Sequence, residues 1–108
     1  MKNVKIVVFV PLTHSKKVLE AIGKHGGGMI GNYSHCSFSS EGVGRFKPNE
    51  KANPFVGEAG KLEEVKEDRI EFICPRDKAK SIIKAMKEVH PYEEIAFDIY
   101  SLLDESEL

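Results

Sequence analysis

The feature that most constrains this chain is a repetition of its own pattern. Displaced by 64 positions, Pro11 falls on Pro75, Lys16 on Lys80, Val18 on Ile82, Leu19 on Ile83, Ala21 on Ala85 and Ile22 on Met86. Each half reads strand, proline, helix, strand. Val4, Ile6, Val7, Val8, Phe9 and Val10 form the nearly continuous apolar run of a central strand, and Pro11 ends it. From Leu62 to Cys74 strand character returns; Arg69 and Glu71 alternate with Ile70 and Phe72, and Pro75 ends that run. Two such units predict β-α-β-β-α-β, the α+β ferredoxin-like split arrangement. Right-handed crossovers then put the first strand between the third and fourth, with all neighbours antiparallel.

The helical stretches follow from spacing. Val18, Leu19 and Ile22 share one face of the first, with Thr13 or Ser15 expected to cap it and Gly26-Gly27-Gly28 to stop it. Ala79, Ile82, Ile83, Met86 and Val89 trace the second, with Asp77 expected as its cap and His90-Pro91 as its stop. Between the halves, Ile30 to Phe38 reads as extended. Gly42 to Gly60 holds Gly42, Gly44, Pro48, Asn53-Pro54, Gly57 and Gly60 and reads as a long loop between the second and third strands. Loops beyond about 12 to 15 residues are usually functional or disordered. Ile95, Phe97 and Ile99 alternate in the last strand, and the acidic tail from Asp104 is expected to fray.

Composition narrows the function classes. A chain of 108 residues holds one modest core, so residues 1–108 are read as a single domain. Its 16 Lys and Arg against 17 Asp and Glu give no basic field for nucleic acid. The longest apolar run is far shorter than the roughly 20 residues of a membrane helix, and no export signal opens the chain. A cytoplasmic protein with no membrane partner and two free cysteines is expected.

Chemistry concentrates in two stretches, Gly26 to Pro48 and His90-Pro91-Tyr92-Glu93-Glu94. The split topology brings His14, the tip of the long loop and the 90–94 string to one edge of the sheet. It sends Gly26 to Tyr33, Cys36 and Cys74 to the other, roughly 25 to 30 Å away. One subunit cannot join the two groups. His14, His90 and Glu93 are candidate ligands for a divalent transition metal ion; Tyr33, Cys36, Asn53, Tyr92 and Glu94 are candidate ligand-binding residues. The bland alternative makes His90-Pro91 a helix stop, His14 a first-turn residue and the glutamates solvated. His35 and Cys36, adjacent on an extended segment, would point to opposite faces. Gly26 to Gly31 follows a helix instead of opening one, so it is no nucleotide fingerprint. No serine sits at a nucleophile elbow, and no catalytic residue is assigned.

The motifs IGNYSHCSF, GVGRF, ANPFVGEAG, VKEDRIEFICP and HPYEEIAFDIY together resemble the domain inserted in two-domain Nif-three-like proteins (NGG-interacting factor three) and their free-standing YqfO-type relatives. The resemblance runs from about Lys5 to Tyr100 and implies a CutA-like, PII-like ferredoxin fold. The string HPYEE also looks like a segment of CutA, a trimeric protein linked to divalent cation tolerance. In the two-domain proteins the metal-binding residues belong to a flanking domain absent here, so cyclohydrolase-type activity is not carried over.

These readings converge on a non-enzymatic oligomeric binding or regulatory module, a homo-oligomer with three copies expected. It would bind a small ligand or divalent metal ion at subunit clefts and offer the Gly42–Gly60 loop to a protein partner. The alternatives are a metal-dependent hydrolase acting at His14, His90 and Glu93, and a structural cap for a separately encoded catalytic domain.

Overall fold

The computed structural model of the chain describes residues 2–108. Four strands, β1 (Asn3–Pro11), β2 (Phe38–Phe46), β3 (Glu63–Pro75) and β4 (Phe97–Ser101), form an antiparallel sheet in the order β2-β3-β1-β4. Helices α1 (Ser15–Lys24) and α2 (Ala79–Val89) lie side by side on one face of it. The internal repeat is structural: β1 and β3 end at the matched prolines Pro11 and Pro75, and the helices open at the matched positions Ser15 and Ala79.

The sheet parity follows from the register, in which Val8 faces Ile70 and Ile6 faces Phe72. Val4, Ile6, Val8 and Val10 of β1 and Ile70, Phe72 and Cys74 of β3 therefore point together toward the helices. They meet Val18 and Ile22 of α1 and Ile82 and Met86 of α2 in one core. Each such side chain contributes roughly 1.5–3 kcal/mol through burial. Val7 points the other way and is still fully buried. Its cross-strand partner Glu71 pairs with both Lys5 and Arg69, at 3.7 and 3.5 Å, and the Arg69 guanidinium lies 5.7 Å from the Phe9 ring centroid.

Several local expectations are corrected. Neither Thr13, Ser15 nor Asp77 caps a helix, because each helix is entered through a 3-10 turn (Leu12–His14 and Arg76–Lys78) whose first carbonyl takes the N–H of Ser15 or Ala79. The Ser15 hydroxyl instead donates to Asp68 at 2.5 Å, tying α1 to β3. Ile30 to Phe38 is not a strand: Ile30 and Tyr33 exchange two 2.9 Å backbone bonds around a turn, with Gly31 at φ 57°. β2 starts only at Phe38 and runs through Gly42 and Gly44, so the loop spans 47–62. His35 is not extended either. It sits at φ 60° with its ring against Gly23, where a Cβ would collide with the imidazole. Apart from these corrections, the exposed tail carries a short 3-10 turn (Glu105–Glu107), with Asp104 accepting from Ser106 N–H and Glu107 accepting from Asp104 N–H. Among the described residues no helix is long and apolar enough to cross a membrane.

Candidate functional site

The 47–62 loop closes on itself before it reaches the rest of the chain. Gly60 N–H donates to Pro48 O at 2.9 Å, Lys51 N–H to Asn49 Oδ1 at 2.9 Å, and Ala52 N–H to Asn49 O at 3.2 Å. Its tip is fastened to the segment after α2, where the Glu93 carboxylate accepts from Asn53 N–H at 3.0 Å. The Phe55 ring meets His14 edge-on at 5.5 Å and Tyr92 at 6.4 Å between centroids. Phe55 thus folds back on its own chain, although it stays 54% exposed.

The loop, the outer ends of β2 and β3, and residues 92–96 enclose a cleft of about 740 Å³. Phe9, Phe46, Phe55 and Tyr92 line it, with Lys47, Lys51, Glu67, Glu93 and Glu94. That volume falls in the usual range for small-molecule sites, and so does the mixture of rings with a few polar groups.

Beneath the cleft lies a connected set of side chains. His90, 7% exposed, places Nε2 2.7 Å from Phe9 O and Nδ1 3.2 Å from Tyr92 N. This fixes the tautomer: Nε2–H donates and Nδ1 accepts. Burial lowers the His90 pKa below its usual value, against smaller opposing effects of the Phe9 carbonyl and Glu67. The Tyr92 hydroxyl donates to Glu67 Oε2 at 2.8 Å. Burial raises its pKa most, and the Glu67 hydrogen bond and charge add to that.

The candidates named from sequence separate accordingly. Tyr92 and Glu94 line the cleft, and Asn53 holds its loop through the backbone N–H. Tyr33, 74% exposed, and Cys36, beside Ile30 and Phe38 in a small second groove, sit apart from it. Both cysteines are free thiols; Cys74 is buried in the core, where desolvation and the charge of Asp77 raise its pKa. His14, His90 and Glu93 come to the same end of the sheet but are not assembled as a ligand set. Both His90 nitrogens serve the backbone, the Glu93 carboxylate holds Asn53, and His14 Nδ1 lies 2.8 Å from Thr13 Oγ1. Among the described residues there is no group of three or more His, Cys, Asp or Glu placed to hold a metal ion.

The residue that sequence reasoning missed is Glu67, 7% exposed and part of the cleft. Its carboxylate lies against Gly44, where any Cβ would strike it. A glycine inside a strand is the available signal, since it marks a close approach.

No protein-family model matches the chain. A Halalkalibacterium halodurans protein named GTP cyclohydrolase 1 type 2 homolog is 52% identical over 103 residues, which make up 95% of this chain and 28% of that protein. A solved Bacillus cereus protein related to NIF3 superposes with a TM-score of 0.84 at 50% identity, over 95% of this chain and 26% of its own. The chain is a homologue of one domain of the Nif-three-related proteins. It spans about a quarter of the length of those relatives. The fold is also that of a PII-like CutA protein from Nostoc, with a TM-score of 0.69 at 14% identity over 100% of this chain and 86% of the other. The ferredoxin-like split arrangement inferred from the repeat, and the CutA-like, PII-like form of it implied by the resemblance, are therefore what is observed, and the likeness to CutA concerns fold alone.

Proposed function

We propose that this chain is a non-enzymatic binding module that holds a small molecule in the cleft beneath the 47–62 loop. The observation carrying the proposal is that cleft: about 740 Å³, lined by four aromatic rings, and closed by a loop latched through Asn53 and Glu93. Catalysis finds less support, because the imidazole nearest the site has both nitrogens committed to backbone partners. For the same reason an organic ligand is favoured over a metal ion at His14, His90 and Glu93. An ion there would have to displace the Phe9 carbonyl or the Tyr92 amide.

The reading includes self-association in the cytoplasm, with three copies expected from the likeness of fold. Its support is the exposed apolar surface along the β2 edge, where Phe38 is 67% and Val43 47% exposed. A second reading is favoured by the quarter-length coverage: the module docks on a Nif-three-like catalytic domain and regulates it. Thermal-shift screening of a metabolite panel against the wild type and Ala96→Trp tests the first reading. Ala96 is exposed and lines the cleft, so tryptophan fills it without touching the core. Hits that stabilise only the wild type support the reading; hits indifferent to the substitution contradict it.

A further inference from the structure

Three polar side chains are buried among the described residues: Ser15, Glu67 and His90. Ser15 is matched by Asp68, and His90 by the Phe9 carbonyl and the Tyr92 amide. Glu67 has only the Tyr92 hydroxyl, on Oε2. It takes part in none of the ion pairs among the described residues, which join Lys5 and Arg69 to Glu71, Arg45 to Glu64 and Lys61 to Glu58. A carboxylate on a residue only 7% exposed, with one neutral donor on Oε2 and no counter-charge in an ion pair, is incompletely compensated and keeps its other oxygen for a partner. Here it also lines the wall of a cavity.

What surrounds Glu67 indicates what would compensate it. Phe9, Phe46, Phe55 and Tyr92 line the same space, and aromatic faces attract cations in a desolvated setting. Tyr92 lies between Phe46 and Phe55, at 6.0 and 6.4 Å between centroids. The exposed Lys47 and Lys51 also line the cleft, outside every ion pair found. Glu93 is held by Asn53 N–H, and Glu94 is exposed.

We infer that the cleft takes a zwitterionic organic ligand, whose inner end is an ammonium or amidinium group set against Glu67 and the aromatic rings, and whose outer end is an anion met by Lys47 and Lys51. Glu67 is then the specificity-determining residue: an N–H donor group supplies the missing counter-charge and displaces little but water. The inference rests on the reading of the cleft as a binding site.

The test uses the full chain with benzamidine, benzoate and para-amidinobenzoate as probes, followed by amide NMR titration. Both amidines should bind and shift resonances of Glu67, Tyr92 and Phe46, while benzoate should not. Glu67→Gln keeps the shape and an acceptor for Tyr92 but removes the charge, and should weaken amidine binding at least about tenfold. Replacing Lys47 and Lys51 by alanine should abolish the advantage of para-amidinobenzoate over benzamidine and leave benzamidine itself unchanged. Should Glu67→Gln fail to fold, Tyr92→Phe decides: it leaves the carboxylate with no donor, so amidine affinity should hold or rise. Equal binding of benzoate, indifference to Glu67→Gln, weakening by Tyr92→Phe, or no amidine binding at all would overturn the inference. Metabolite hits lost in Ala96→Trp alongside silent amidines would leave the cleft reading standing and remove only this one.

Discussion

Replacing His90 by alanine removes two hydrogen bonds at once, and the structure sets the scale of the loss. The Phe9 carbonyl loses its 2.7 Å donor and the Tyr92 amide its 3.2 Å acceptor, in a place where the residue is 7% exposed. A buried backbone group left without a partner costs about 1–3 kcal/mol, and water entering the vacated space returns part of it. A net destabilisation of about 2–4 kcal/mol is expected, which for a domain near this size lowers Tm by roughly 10–20 °C. Urea and thermal denaturation of the metal-free protein measure it. The pH dependence gives an independent check. Because burial depresses the His90 pKa below the usual value of 6.5, the unfolded chain takes up the proton first. This contribution is complete above pH 6.5 and is lost as pH falls through the lower folded-state pKa. The wild type should therefore lose stability in that window, and His90→Ala should lack that component. A loss below about 1 kcal/mol with an unchanged pH profile would refute the assignment and return His90 to the pool of free ligands.

Other expectations follow from single contacts. Gly44→Ala drives a Cβ into the Glu67 carboxylate and should destabilise by about 1–3 kcal/mol, whereas Gly42→Ala, with open space around its Cβ, should stay within about 0.5 kcal/mol in the same urea assay. Gly23→Ala should not deliver the roughly 1 kcal/mol normally gained in a helix, because the His35 ring occupies the space; a His35→Gly background should restore the gain. A thiol reagent should label Cys36 in the native protein and Cys74 only on unfolding, since burial raises the Cys74 pKa and closes access; rapid labelling of both would contradict the placement of Cys74.

The topology was legible because the two halves repeat the same burial pattern, and a pattern tied to the core survives translation into structure. Helices α1 and α2 begin at matched positions for that reason. What misled was local chemistry overridden by neighbours. Gly42 and Gly44 signal loop on their own, yet β3 pairs with both, and Gly44 is needed because Glu67 packs on its backbone. Thr13, Ser15 and Asp77 are good caps by type, but a 3-10 turn precedes each helix and supplies the carbonyl first. His35 adopts a left-handed backbone that no neighbouring residue announces; the glycine accommodating its ring lies twelve positions earlier, at Gly23.

At the candidate site, the sequence located the 90–94 string and the loop tip at one end of the sheet. It does not show the hydrogen bonding of His90, whose two nitrogens match two backbone groups that only the folded chain brings near. Glu67 draws no attention in the sequence, where it is one of several charged residues between Leu62 and Cys74. Its burial depends on Tyr92, 25 residues away, and on the loop above it.

The most direct test of the central claim is amide NMR of the wild type and Ala96→Trp, each titrated with a small-molecule extract of the source cells. Binding in the cleft predicts shifts clustered on residues 44–56 and 92–96 of the wild type, absent from the variant. Shifts that cluster elsewhere, or that persist when the cleft is filled, would contradict the account.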